Sequence, residues 1–86
     1  MVERQIAWTA LGRGTPVVSS DGVELGKVSR VVADRQKDIF SGITFRAGLL
    51  EGALFAPAAL VREITTEAVV LSISESDAQS ELGPPE

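Results

Sequence analysis

Cysteine, histidine and tyrosine are all missing from this 86-residue chain, and tryptophan and methionine occur once each. Without cysteine there is neither a disulfide framework nor thiolate chemistry, an absence compatible with a reducing compartment but not diagnostic of one. Without histidine the chain lacks the commonest general base and transition-metal ligand, and without tyrosine a common proton donor. The expectation is a non-enzymatic protein with no catalytic residue, no cofactor and no metal. Long apolar runs are missing too: none approaches the roughly 18 to 20 residues of a membrane helix. The opening MVERQIAW has no basic stretch followed by an apolar core. A soluble, cytoplasmic protein without membrane insertion is expected.

What is present in quantity is apolar side chain, 44% of residues with a mean hydropathy of +0.18. A single domain of this length buries only roughly 60 to 70% of its unfolded surface, so some of that material is expected to face a partner. A homodimer and a further, unidentified protein partner are the expectation. Charge is unevenly placed. All eight basic residues and eight of the twelve acidic ones lie in residues 1–74, while Glu75, Asp77, Glu81 and Glu86 stand in an acidic end without Lys or Arg. A neutral body with an acidic end is a poor match for nucleic acid, whose binding draws on excess basic charge.

The stretch Pro16 to Val32, PVVSSDGVELGKVSRVV, organises the reading. Thr15-Pro16 favours an extended entry, so a first strand is expected over 16–19. Ser20-Asp21-Gly22 is a hairpin turn, because Asp bonds its own backbone two residues on and Gly accepts positive φ. A long second strand, 23–34, carries Gly26 as an expected bulge or bend, with Val28 and Val32 on one face and Val31 and Ala33 on the other. After the polar turn 35–38, Ile39, Ile43, Phe45 and Ala47 alternate with Thr44 and Arg46 over 39–47. A turn at GLLEG, a strand at 53–56, a proline-started helical turn at 57–60 and strands at 61–65 and 69–73 follow, the last with Val69, Leu71 and Ile73 inward. Ser74 or Ser76 is placed to cap a short acidic helix. Residues 1–14 fit a helix or a strand, and both stay open.

Together these signals resemble the PRC-barrel family, small β-barrels found in the photosynthetic reaction-centre H subunit, in a ribosome maturation factor and as stand-alone proteins. The resemblance covers about residues 12–78. It rests on Val17, Asp21, Gly22, Leu25, Gly26 and Val28 in the opening hairpin, and on Phe55, Ala56, Pro57 and Val61 later. Ala56 stands where a larger β-branched residue is usual. The resemblance implies an all-β barrel of about five to seven strands and an interaction or regulatory role. Its motif residues are structural, and members do different things on one scaffold. The expected layout is an N-terminal extension over 1–11, packed on the barrel or at an interface, the barrel over 12–74, and an acidic, partly disordered tail over 75–86.

Candidate chemistry is thin. Asp21 with Glu24, or Asp34 with Asp38, offers two carboxylates where Ca²⁺ needs about six to eight oxygens, and these residues are expected as turn-formers and solvated charge. Ser19, Ser20 and Ser41 have no histidine, and Lys27 sits on an exposed hairpin instead of in the buried site a Ser-Lys pair requires. No glycine pattern for phosphate binding is present. Asp21, Gly22, Gly26 and Pro57 are expected as turn and bulge residues. Trp8, Leu49 and Leu50 are the candidate protein interface, each being large and apolar without an obvious core role; the alternative is that they plug the barrel ends. Arg30, Arg35, Lys37 and Arg46 are candidate RNA contacts, which makes an RNA- or ribosome-associated accessory factor the alternative function.

Overall fold

The computed structural model describes residues 8–34, 36–46 and 52–83. Leu49, Leu50, Arg35 and Ala47, together with residues 1–7 of the N-terminal extension, lie outside the described residues. The described chain forms β1 (Pro16–Val18), β2 (Glu24–Asp34), β3 (Ile39–Arg46), β4 (Ala53–Pro57), β5 (Val61–Ile64), β6 (Val69–Leu71) and a helix α1 (Glu75–Glu81). Short 3-10 turns occupy Trp8–Ala10 and Ala58–Leu60.

The six strands make one mixed sheet in the order β4-β3-β2-β1-β6-β5. Strands β1 to β4 form the expected meander. The chain then crosses by way of the Ala58–Leu60 turn to the opposite end of the sheet, where β6 pairs parallel with β1, Val17 opposite Val69 and Val18 opposite Val70. The order ends on β4 and β5 without pairing one to the other, so the described sheet is open and not a hydrogen-bonded cylinder.

Bulges decide which side chains reach the core. In the β1–β2 pair, Val17 faces Gly26 and Val18 faces Glu24, leaving Leu25 as the extra residue beside the expected bend at Gly26. In β2–β3, Val28 faces Phe45 but Arg30 faces Thr44, so Ser29 is extra and the alternation flips after it. This corrects the expected faces of β2: Val28 and Val31 share the core side, opposite Phe45 and Ile43. A second irregularity sets Ala33 opposite Phe40, with Ser41 extra. It turns Phe40 toward the core and Ile39 outward, where Ile39 is 51% exposed in place of its expected position beside Ile43. An added residue reverses side-chain parity in a strand, which accounts for both corrections.

Val17, Ile43, Phe45, Ala56, Val69 and Leu71 are fully buried, with Val28 at 3%. Burying each large side chain contributes roughly 1.5 to 3 kcal/mol. Ile73 is half-buried, a weaker inward position than Val69 or Leu71. Gly42 is forced by a close approach: at φ 152°, a Cβ there would strike the Ala56 carbonyl and come within 2.8 Å of the Phe55 ring.

The acidic segment opens with the helix α1. Ser74 caps α1 by accepting the Asp77 N–H at 3.2 Å, and Ala78 and Leu82 join the core. The Phe55 N–H donates to the Gly83 carbonyl at 2.9 Å, so the segment is tied to the outer edge of β4.

Candidate functional site

The Asp-Gly turn is built as its residues dictate. Gly22 takes φ 84° and donates to the Ser19 carbonyl at 3.0 Å, while the Ser19 N–H donates to Val23 at 2.9 Å. The Ser19 side chain is 1% exposed. Its hydroxyl donates to Asp21 Oδ1 and accepts from the Val23 N–H at 3.1 Å. Asp21 Oδ1 also accepts the N–H of Glu75, the first residue of α1, at 3.2 Å, and the Ser20 N–H donates to the Ile73 carbonyl at 2.8 Å. The turn is therefore the clamp that fixes the start of α1. The Ser19 hydroxyl, helped by the backbone N–H groups of Asp21 and Glu75 and opposed by partial desolvation, holds the Asp21 carboxyl below the usual carboxylate range. Hydrogen bonds to the charged form act in that direction.

The other polar candidates are similarly occupied or separate. Asp34 Oδ1 accepts from the N–H groups of Gln36 and Lys37 at 3.1 and 3.2 Å, closing the β2–β3 turn, and Asp38 takes φ 54° within it. Ser20, Ser41 and Lys27 are exposed. Pro57 stands before the Ala58–Leu60 turn at φ −61°, a conformation its ring favours.

Trp8 is half-buried and stacks on Phe40, ring centroids 5.8 Å apart and planes inclined by 13°. The pair sits where Phe40 meets the core, with the exposed Ile39 next to it in the chain. Arg30, Lys37 and Arg46 are exposed. The structure brings Arg30 and Arg46 to β2 and β3 and leaves Lys37 in the turn at the far end. It adds a neighbour that sequence reasoning did not place with them: Lys27 is the register partner of Arg46. The signal for that pairing was present only in the bulge at Ser29, which periodicity does not reveal.

A cleft of about 560 Å³ opens between the sheet and α1. Leu25, Phe45, Leu54 and Ala78 make its apolar wall, and Glu24, Glu75 and Gln79 its polar part. Among the described residues no three His, Cys, Asp or Glu side chains gather in a way that would hold a metal ion, and no helix is long and apolar enough to cross a membrane. Comparison with protein-family models, with curated proteins and with solved structures finds no match for this chain.

Proposed function

We propose that the chain is a non-enzymatic, cytoplasmic interaction module of PRC-barrel type, working as a homodimer that binds a further protein. The observation that carries this reading is how the best motif uses its polar groups. Ser19 and Asp21 spend their hydrogen-bonding capacity on the turn and on α1, so the residues most suggestive of chemistry build the fold. The motif glycines do the same. What is left at the surface is apolar and charged side chain: the exposed Ile39, the half-buried Trp8–Phe40 stack on the other face of the strand, and the cations of β2 and β3. A half-buried tryptophan that reaches the surface is a residue type favoured at binding hot spots. The bulges in β2 at Leu25 and Ser29, a device that bends a strand, support a barrel-like wrap of the sheet around Phe45 and Ile43.

A second reading, an RNA- or ribosome-associated factor, is favoured by the adjacency of Lys27 and Arg46. A tagged pull-down from native lysate, with and without ribonuclease, separates the two. The interaction-module reading expects protein partners that survive digestion. Loss of all captured material on digestion overturns it in favour of RNA.

A further inference from the structure

Two like-charge pairs stand on opposite kinds of surface, each at an electrostatic cost to the molecule that carries it. On the sheet, Lys27 and Arg46 are cross-strand partners, both exposed, on the face turned away from Val28 and Phe45. Like charges directly opposite on neighbouring strands are destabilising. Arg30, also exposed, extends the strip to the next row, opposite Thr44.

On α1, Asp77 and Glu81 are exposed and lie four residues apart, while Ala78 and Leu82 face the core. Like charges at that helical spacing repel, and Glu81 stands in the last turn, where the helix dipole disfavours an anion. The helix has no basic residue in its last turn to offset this. The spacings correspond: helix side chains four apart start about 5 to 6 Å from each other, and cross-strand ones about 4.5 to 5.5 Å. The acidic pair thus matches the basic pair in sign and in the spacing of its Cβ atoms.

We propose that Asp77 and Glu81 of α1 dock on Lys27 and Arg46 of a second copy of this chain, and that the same contact is made in return. The arrangement is isologous and closes at two copies. It rests on the self-association reading above and supplies the surface for it.

The test is a charge swap followed by sedimentation equilibrium at low ionic strength. The full chain carrying K27E with R46E presents acid on both surfaces, and the chain carrying D77K with E81K presents base on both. Each alone should associate at least about tenfold more weakly than the wild type, since every exposed ion pair is converted to repulsion. An equimolar mixture of the two should recover a heterodimer. Thermal unfolding of each variant checks that the fold is kept; the chain carrying only E81Q, which removes a charge the helix disfavours, still weakens association if the other variants unfold. Association retained at wild-type strength by both swapped chains overturns this interface and leaves self-association standing. A wild type that is monomeric at low salt overturns both; a chain carrying K27E with R46E that loses only binding of a uridine oligonucleotide and keeps its association overturns this interface in favour of an RNA contact.

Discussion

Asp21 and Glu75 are 54 residues apart in sequence, yet the Asp21 carboxylate accepts the first N–H of α1 at 3.2 Å. The turn that starts the sheet thereby fixes the helix that ends it. Glu24, Leu25 and Glu75 meet at the cleft beneath that helix as a consequence.

This clamp predicts a pH signature. The Asp21 carboxyl is held below its ordinary range in the fold, first by Ser19, so the folded state binds that proton less readily than the unfolded chain. Its contribution is complete above the ordinary carboxylate range and is lost as pH falls through the lowered value. Urea denaturation between neutral and acid pH should show wild type above Asp21→Asn in stability at neutral pH, with the gap closing on acidification. A constant gap would remove the linkage.

Gly42 and Gly12 should respond very differently to alanine. At Gly42 the new methyl meets the Ala56 carbonyl and the Phe55 ring at positive φ, whereas nothing lies within 4 Å at Gly12 and its φ is not in that region. Gly42→Ala should cost about 2 kcal/mol or more, and Gly12→Ala should change stability by under about 0.5 kcal/mol. Midpoints of urea unfolding measure both.

Phe45 and Ile39 belong to the same strand and differ in fate. Phe45 is fully buried and Ile39 is 51% exposed. Phe45→Ala should cost about 3 to 5 kcal/mol, a large part of the stability of so small a domain. Ile39→Ser should stay within about 0.5 kcal/mol, and denaturant titration distinguishes them directly.

The strand positions were largely legible in the sequence. β-branched runs and their turn residues mark β1 to β6 to within about two residues of the observed bounds, and Ser74 marks the cap of α1. Orientation was less legible, because the extra residues at Ser29 and Ser41 are ordinary serines that carry no periodicity signal. They reverse Val31, Phe40 and Ile39 relative to strict alternation. The parallel β1–β6 pair and the Asp21–Glu75 bond were hidden for another reason: both join segments about fifty residues apart, and local propensity says nothing about such contacts. The bulge at Ser29 likewise hid the Lys27–Arg46 adjacency, although each residue was visible alone.

The single tryptophan reports on the stack with Phe40. Phe40→Ala should shift the native emission of Trp8 to longer wavelength by opening one ring face to water, with the unfolded spectrum unchanged. An unshifted native spectrum would contradict the stack.

The central claim, that this small sheet works as a self-associating interaction module, is met most directly by static light scattering of the unmodified chain at high micromolar concentration and low ionic strength. The account predicts a mass of twice the 9.1 kDa chain, falling toward the monomer as salt is raised. A monomer throughout that range would contradict it.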